Sequence, residues 1–571
     1  MRSYPLYRER KSEILDGIWD FAWLGVDGKV DEIQPNRISY DALMAVPGVF
    51  DTCPEHFGKW GLGVYRKKLC LDTKEGTRLR LKIGGLGLFA RIWWDGKHLA
   101  DYELPYSSVD YDFSSGNGRE HELVIAVDNR FDSKTSPLFS PNFDFYAYGG
   151  IYRSVEIQQM PATFIERVQV KTLDLASGLV RLRLLLSGNI PDELEFALAF
   201  DGALASSFKS KLKDGQLDIE QRVPGFKIWS TDSPSLHTVT VSIDGDAIVE
   251  RFGIRTVETR GQEILLNGKP LSLRGVNRHE THPEFGPVQT EHLMLDDLLL
   301  LKDLGCNFVR CVHYPQDQAF LDLCDQLGML VWQESLGWNN SDLEANDERF
   351  SELQARQTRL MVENSINHPS VILWGFLNES CSETQAGRKL YETLAKTVRK
   401  IDPALLVTYA SNKHEKDICF DLADVMAMNF YPGWWGGNWS SPTSACIKDI
   451  VDAKAEYASR PEFKDKPFLV SEIGVCALYG CHDRANAQWS EEYQAEYFTE
   501  TCRCIFENPR YAGLALWQMF DTRSYVNTGN DVRGKPRGFN CAGLLDEYRR
   551  PKLAYDAVKQ AFHSLAKKEE N

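Results

Sequence analysis

Up to about residue 158, hydrophobic and polar residues alternate in short runs separated by turn-forming residues. Residues 78–83 and 122–127 form two such runs, and residues 90–94 are followed by Asp95-Gly96, a dipeptide favoured in tight hairpins. A period of two is typical of strands that bury one face and expose the other. This part of the chain is predicted to form a jelly-roll-like β-sandwich.

A second set of alternating runs extends from about residue 162 to 257. Residues 179–186 and 237–242 alternate, and residues 227–234 form a turn-rich connection between them. The length and strand spacing fit one small immunoglobulin-like β-sandwich.

From about residue 258 the pattern changes to short apolar strands that alternate with amphipathic helices, which is typical of βα units around a parallel sheet. Helices are expected at 290–304, 319–327, 347–366, 386–401 and 491–507. Eight units of this kind have the size of a TIM (β/α)8 barrel. The predicted domains are therefore residues 1–160, 161–257 and 258–571. The eight candidate strands are 271–276, 308–311, 330–333, 371–376, 407–410, 425–428, 467–470 and 513–517.

Charge and hydropathy exclude several classes of function. The net charge is −16, whereas nucleic-acid binding needs clustered Lys and Arg. No apolar run approaches the roughly 20 residues that span a bilayer, and residues 1–20 lack the apolar core of a signal peptide. We therefore expect no nucleic-acid or membrane partner.

Cysteine usage indicates a reducing compartment. The 13 cysteines are odd in number and contain no CxxC pair, so reduced thiols in a cytoplasmic protein are expected, with no metal and no cofactor. The 14 Trp, 22 Tyr and 29 Phe suit stacking on sugar rings and large hydrophobic cores equally well.

Polar residues follow almost every predicted barrel strand, where TIM barrels carry their active sites. Glu379 follows strand four and Glu472 follows strand seven, on opposite sides of the mouth. Two such carboxyl groups, about 5–5.5 Å apart, can flank one glycosidic bond in a retaining glycosidase. The other candidates at strand ends are His279, Arg310, His313, Glu334, Asn378, Asn429, Tyr431 and Trp517.

Several segments resemble glycoside hydrolase family two, the β-galactosidase and β-glucuronidase group. Residues 367–379 (NHPSVILWGFLNE) resemble its acid/base signature, and residues 468–474 (FLVSEIG) resemble its nucleophile strand. Residues 307–315 (NFVRCVHYP) are similar to a further signature, although Val312 stands where a small residue is usual. Residues 148–153 (YGGIYR) resemble a landmark of the first sandwich.

The resemblance implies that Glu379 is the general acid/base and Glu472 the nucleophile. It also implies that Asn378 bonds the sugar 2-hydroxyl and that a loop with Asp144 reaches the barrel mouth.

Other roles are expected from residue chemistry at these positions. Arg310 is expected to pair with the nucleophile, Tyr431 to contact it, and Glu334 to orient neighbouring groups. Trp517 is a candidate stacking platform. His279 and His313 either bind sugar or are satisfied core residues, and Asn429 completes the expected substrate-binding set.

The sugar is harder to predict. β-Glucuronidases of this family grip the substrate carboxylate with an Asn-x-Lys-Gly loop, and residues 540–543 (NCAG) keep Asn540 but carry Ala542 in place of the lysine. Residues 278–283 also resemble a β-galactosidase motif. A neutral β-galactoside is therefore the expected substrate of an exo-acting enzyme. The alternative is a β-glucuronide or β-galacturonide held by Arg523, Arg533 or Arg537.

Two further expectations concern the protein as a whole. A carbohydrate-binding protein without activity is the rival reading, but degenerate relatives usually lose one carboxylate, and both are present here. The protein is expected to be a homo-oligomer, while the aglycone stays open.

Overall fold

The first β-sandwich consists of a four-stranded sheet packed on a six-stranded sheet. The computed structural model describes residues 4–116, 118–131, 145–434, 443–524 and 535–570. Alternate residues of these strands are buried between the sheets, as the period-two pattern predicts. Its strands are Ser12–Ile14, Gly17–Gly25, Ala42–Val46, Gly48–Val49, Leu62–Cys70, Arg78–Ile83, Phe89–Trp94, Lys97–Tyr102, Val109–Ser114, Glu120–Asp128, Gly150–Ile151 and Val155–Gln159.

The second sandwich packs a three-stranded sheet on a five-stranded sheet around its own apolar core. Every second residue of the strand Leu179–Gly188 is buried, from Val180 to Leu186, which is the predicted alternation. Leu6–Tyr7 adds to this domain, because it pairs with Ile248 and Val249 across about 240 residues of chain. The other strands are Thr163–Asp174, Leu194–Phe200, Ala203–Ser210, Gln216–Arg222, His237–Ile243 and Asp246–Phe252.

A small antiparallel sheet leads into a closed parallel barrel. The small sheet consists of Val257–Arg260, Glu263–Leu266 and Lys269–Leu271. All barrel strands except the eighth are buried along their whole length, as expected when helices cover the outside and side chains fill the inside. Barrel strands one to eight are Leu273–Arg278, Phe308–Cys311, Leu330–Glu334, Val371–Gly375, an interrupted fifth strand (Leu406–Val407 and Ala410–Ser411), Met426–Asn429, Phe468–Glu472 and Tyr511–Leu516.

The barrel helices begin and end at the residues that helix chemistry favours. Thr290 caps the first helix by accepting from the Leu293 amide, and Gly305 ends it in the left-handed region, with φ of 89°. The helices are Glu291–Leu304, Gln318–Leu327, Asp342–Ala345, Glu348–Ser365, Gln385–Ile401, Thr443–Ala458, Glu491–Phe506 and Leu553–Glu570. The sandwich–sandwich–barrel architecture confirms the predicted fold class.

Buried ion pairs join both sandwiches to the barrel. Arg153 of the first sandwich pairs with Glu280 at the end of barrel strand one, at 2.9 Å. Arg251 of the second sandwich pairs with Asp322 on a barrel helix, at 2.6 Å. Because each arginine would be left buried without its partner, the sandwiches and the barrel are held in a defined arrangement.

Within the described part of the chain, no helix has the length and hydropathy needed to cross a membrane. The cytoplasmic location and the homo-oligomeric state stay predictions.

Asp297 connects the start of the barrel to its C-terminal segment. Its carboxylate accepts from Arg278 at 2.9 Å and from Arg549 at 3.0 Å, and it is fully buried. Both guanidinium groups neutralise it and hold its pKa below the usual range despite burial.

Replacing Asp297 by Asn should destabilise the barrel strongly, because two buried guanidinium groups would lose their carboxylate. Removing one partner of a buried ion pair costs about 3–5 kcal/mol, so we expect the Tm in a thermal scan by near-UV circular dichroism to fall by about 5–10 °C. The control is Asp296→Asn, whose carboxylate is half exposed and, among the described residues, forms an ion pair with the exposed His292. A similar Tm for both variants would contradict this account.

Candidate active site

The carboxyl ends of the barrel strands bring the predicted polar residues together in one buried group. Glu472 is the last residue of strand seven, and Glu379 lies four residues beyond the end of strand four. Arg310, in strand two, is fully buried between them and other strand ends. The group lies where loops of a TIM barrel form a substrate pocket.

Arg310 makes contact with residues from four other barrel strands or their ends. Nη1 donates to Glu472 Oε1 at 2.6 Å, and Nε donates to Glu334 Oε1 at 2.7 Å. The guanidinium also donates to Asn277 Oδ1 at 2.9 Å and to Asn378 Oδ1 at 2.8 Å. Its fork geometry suits several acceptors at once, so this one side chain sets the relative positions of the strand ends.

Gly375 leaves space for the Trp332 indole, which packs against Arg310. The Arg310 guanidinium lies over the Trp332 ring at 4.6 Å from the ring centroid. A Cβ atom at Gly375 would lie 2.1 Å from Trp332 Nε1, so any larger residue would push the indole towards the guanidinium.

Glu472 is held by two strong donors. Besides Arg310, the Tyr431 hydroxyl donates to Glu472 Oε2 at 2.5 Å. A guanidinium and a phenol are strong donors, so both oxygens of this buried carboxyl group are fixed in position.

Glu379 has a different environment. Its one described side-chain donor is the Asn429 amide, at 2.8 Å from Glu379 Oε1. Burial, and secondly the negative charge of Glu472, raise the pKa of Glu379 to about 7. Its backbone has φ of 51°, and Leu377 has φ of 53°, a region that non-glycine residues rarely adopt. Such strain, of order 1–3 kcal/mol per residue, is typical of functional sites.

Asn378 presents an unused donor. Its Oδ1 accepts from Arg310 and from Asn429 Nδ2, which fixes the orientation of the amide. Its Nδ2 is buried and has no hydrogen-bond partner among the described residues. Because a buried unpaired donor costs about 1–3 kcal/mol, this atom is suited to bind a hydroxyl of a ligand.

His313 and Trp517 form one wall of the group. The two rings stack with centroids 5.6 Å apart, and His313 Nδ1 lies 3.3 Å from Glu334 Oε2. Burial lowers the pKa of His313 to about 3, so the imidazole is neutral. His313 Nε2 has no partner among the described residues and is a second candidate ligand donor or acceptor.

His279 is tied into the protein more tightly. Its Nδ1 lies 3.2 Å from the Tyr314 hydroxyl, and its ring packs edge-on against Trp517. Phe145, which follows Asp144 in the sequence, packs near His279 at 5.2 Å between centroids. Asp144 itself lies outside the described residues.

The loop with Asn540 borders the group from strand eight. Asn540 pairs with Thr522 in a short hairpin, and its Oδ1 accepts from the Ala542 amide at 3.2 Å. The buried Lys552 ammonium donates to the Cys541 carbonyl at 3.0 Å, which holds this loop in place. The Ala542 methyl is fully buried.

The three arginines named as alternative carboxylate partners differ in availability. Arg523 lies over the Tyr146 ring at 3.9 Å and the Phe57 ring at 4.5 Å, and its buried Nη1 has no hydrogen-bond partner among the described residues. Arg537 is paired with Glu547 at 3.0 Å. Arg533 lies outside the described residues.

Sequence reasoning missed several contributors. Asn277 donates to main-chain carbonyls of strands seven and eight while it accepts from Arg310, and Ser471 Oγ donates to Asn429 Oδ1 at 2.6 Å. Lys535 is a further cation in the loop before Asn540, and burial lowers its pKa to about 8. The position of Asn277 at a strand end was the available signal, whereas nothing local marks Lys535.

A group that could hold a metal lies elsewhere. Ligand atoms of Asp322, Asp325 and His368 lie within 4.8 Å of one another at the junction of the second sandwich and the barrel. Their oxygens already accept from Arg251, Ser370 and the His368 ring, so hydrogen bonding accounts for the group.

The geometry permits acid and base chemistry on one bound molecule. The pKa of Glu379 is raised to about 7, and Glu472 accepts hydrogen bonds from Arg310 and Tyr431. A carboxyl group with a raised pKa can act as proton donor while a second carboxyl group acts as nucleophile on the same bond.

Comparisons with known proteins agree with this geometry. The family model described as "Glycosyl hydrolases family 2, TIM barrel domain" matches residues 257–567. The β-glucuronidase of Canis lupus familiaris is 27% identical over 98% of this chain and 91% of its own length. The β-glucuronidase of Streptococcus agalactiae is 26% identical over 98% of both chains.

Two solved structures are similar along their whole length. The β-galacturonidase from Eisenbergiella tayi bound to galacturonate is 30% identical, with a TM-score of 0.88, over 99% of this chain and 98% of its own. The β-glucuronidase from Faecalibacterium prausnitzii is 25% identical, with a TM-score of 0.85, over 97% and 98%.

The Glu379 carboxyl should titrate near pH 7 in ¹³C-glutamate-labelled protein followed by NMR, with its signal assigned from a Glu379→Gln spectrum. In Glu472→Gln the midpoint should move down, because the neighbouring negative charge that disfavours ionisation is gone. Glu363→Gln, which removes a carboxylate paired with Arg167 in the second sandwich, should leave it unchanged. A midpoint close to the ordinary 4.5 in the wild type would rule out the coupling.

Proposed function

The chain belongs to family 2 of the glycosyl hydrolases, and on that premise we propose that it is a retaining, exo-acting β-glycosidase that removes a terminal β-linked uronic acid. Galacturonic acid is the first candidate sugar and glucuronic acid the second. The single observation that carries the pairing of a proton donor with a nucleophile is the contrast between the two carboxyl groups: Glu472 is bound by Arg310 and Tyr431, while the pKa of Glu379 is raised to about 7.

In the first step Glu472 attacks the anomeric carbon while Glu379 donates its proton to the glycosidic oxygen. The glycosidic bond breaks, the aglycone leaves as an alcohol, and the sugar becomes an ester of Glu472. In the second step the ionised Glu379 takes a proton from water, whose oxygen attacks the anomeric carbon and releases Glu472. Atoms and charge balance, and Glu379 ends protonated again.

The proximity that this mechanism needs is supported by a continuous chain of hydrogen bonds. Glu472 accepts from Arg310, Arg310 donates to Asn378, and Asn429 donates to both Asn378 and Glu379. Asn378 Nδ2 is the group that we propose binds the sugar 2-hydroxyl, where hydrogen bonds strengthen in the transition state.

The expected preference for a neutral β-galactoside finds no support in the comparisons, since the relatives above act on uronides by their names. The β-galactosidase-like residues at strand one have structural partners instead: Arg278 binds Asp297, and Glu280 binds Arg153. The alternative reading, a uronide with a relocated cation, is therefore our proposal.

We propose Arg523 as that cation. It lies in the hairpin strand paired with Phe539, next to Asn540, and one buried nitrogen of its guanidinium lacks a partner among the described residues. The nearby Asp51 is not within ion-pair distance of Arg523, and its pKa is raised to about 7, chiefly by burial. Asp51 therefore does not fully neutralise the charge of Arg523. A guanidinium in an aromatic surrounding is suited to a carboxylate.

A non-catalytic carbohydrate-binding protein remains the rival function, and a panel of p-nitrophenyl β-glycosides separates it from an enzyme. The site favours an enzyme over a binding protein, because binding alone does not need a proton donor beside a second carboxyl group.

Glu472→Ala should abolish turnover of p-nitrophenyl β-galacturonide, because no covalent intermediate can form. Added azide should partly restore release of nitrophenol and yield the α-glycosyl azide, identified by NMR. Glu363→Ala should retain wild-type turnover. Retention of more than a few per cent of activity by Glu472→Ala would refute the assignment of the nucleophile.

Arg523→Gln should lower kcat/KM for the β-galacturonide at least about tenfold, since a hydrogen bond to a charged group contributes about 1.5–3 kcal/mol. The matching neutral β-galactoside should be cleaved with little change. Arg537→Gln is the matched control, because Glu547 already holds that guanidinium. Equal losses on both substrates would exclude a clamp at Arg523, and a selective loss in Lys535→Gln alone would assign it to that lysine.

A further inference from the structure

A cavity of about 370 Å³ lies at the end of the barrel opposite the carboxyl pair. Its barrel residues, 366–369 and 401–404, precede strands four and five, whereas Glu379 and Glu472 follow strands four and seven. The second sandwich supplies the facing wall, from residues 169–172, Arg181 and Arg183, and residues 252–258 complete it. We call it the junction cavity. Its volume lies within the range of small-molecule sites.

The lining of the junction cavity contains more basic than acidic side chains, in a protein that is acidic overall. Four lining side chains are basic (Lys171, Arg181, Arg183 and Arg255), and two are acidic (Glu258 and Asp402). The chain as a whole carries a net charge of −16. An anion would therefore meet less repulsion in this cavity than over most of the remaining surface.

Arg255 is the central feature of the cavity. Among the described residues its guanidinium donates to the Pro369 carbonyl at 3.1 Å and the Val371 carbonyl at 2.8 Å, and to no carboxylate. These bonds fix the guanidinium without neutralising it. Burial lowers the pKa of Arg255, as expected for a cation with no close counter-ion. Asp402 is the strongest acidic influence on Arg255, and its carboxylate accepts from the Trp374 indole and the Ala404 amide.

The other arginines are balanced in a different way. Arg181 and Arg183 pair with Glu220 and Asp218 across the neighbouring strand, at 2.8 and 2.9 Å. The charge that lacks a partner is thus concentrated at Arg255, with the exposed Lys171 beside it on the strand Thr163–Asp174. Part of the cavity wall is apolar and consists of Phe252, Ile366, Pro369 and Ile401.

We propose that the junction cavity binds a ring-sized small molecule that carries one oxyanion, either a sugar carboxylate or a sugar phosphate. The anion pairs with Arg255 and Lys171, and the ring rests on the apolar wall. A planar guanidinium fork recognises both carboxylate and phosphate oxygens, which is why the shared chemistry is an oxyanion. This site is separate from the proposed catalytic site and does not depend on its assignment.

Isothermal titration calorimetry at low ionic strength tests the proposal with two probes, glucose 6-phosphate and galacturonate. We expect at least one of them to bind saturably to the wild type, and Arg255→Gln to weaken that binding at least about tenfold. Ala404→Trp should abolish it, because Ala404 lines the cavity and an indole at this position would occupy part of its volume. Lys209→Glu, on an exposed strand of the same sandwich away from the cavity, is the matched charge control and should bind as the wild type does.

The probes also distinguish the source of the oxyanion. Binding of glucose 6-phosphate alone assigns a phosphate ester, and binding of galacturonate that Ala404→Trp removes assigns a sugar acid. If Arg255→Gln proves unfolded by circular dichroism, Lys171→Glu takes its place, with a several-fold weakening expected. Failure of both probes to bind the wild type, or unchanged binding in Ala404→Trp, would overturn the proposal.

Discussion

The Arg310 guanidinium is the interaction on which the candidate site depends. It binds Glu472, Glu334, Asn277 and Asn378, so one buried cation ties together the ends of strands one, three, four and seven. Its charge also explains how two carboxylates are tolerated in a buried core, since each alone would cost several kcal/mol of desolvation. Glu379 has no hydrogen bond to Arg310 among the described residues, and its pKa is raised by burial and by the negative charge of Glu472.

Much of the fold could be predicted because its signals are local. The period of two marks sandwich strands, and fully apolar runs between amphipathic helices mark barrel strands. What could not be predicted involves distant pairing: Leu6–Tyr7 joins the second sandwich, and the fifth barrel strand, expected as continuous, is interrupted between Leu406–Val407 and Ala410–Ser411. Between the two parts the Thr408 amide donates to the Trp374 carbonyl of strand four, and the Thr408 side chain donates to the Val425 carbonyl next to strand six. This arrangement of side-chain and main-chain bonds leaves no trace in hydropathy.

The candidate site follows the same division. Glu379, Glu472 and Arg310 were identifiable because they stand at strand ends within long motifs. The substrate sugar was not identifiable from the sequence. It depends on which cation is already neutralised by a carboxylate, and the neutralising partners lie far away in the sequence. In the sequence, Arg278 and Arg537 look equivalent to Arg523. In the structure they pair with Asp297 and Glu547 and are therefore not available to a ligand. Motif similarity without knowledge of these partners therefore led to a preference for a β-galactoside that the comparisons do not support.

The left-handed backbone of Glu379 lowers the stability of the fold at a residue whose side chain is proposed to act in the reaction. Glycine adopts a φ of 51° without penalty, whereas glutamate must be forced into it by its surroundings. A search for thermostable variants that ignores catalysis would therefore be drawn to glycine at this position and would select the very change that removes the proposed proton donor. On the proposed mechanism, stability gained at this residue would be accompanied by loss of activity.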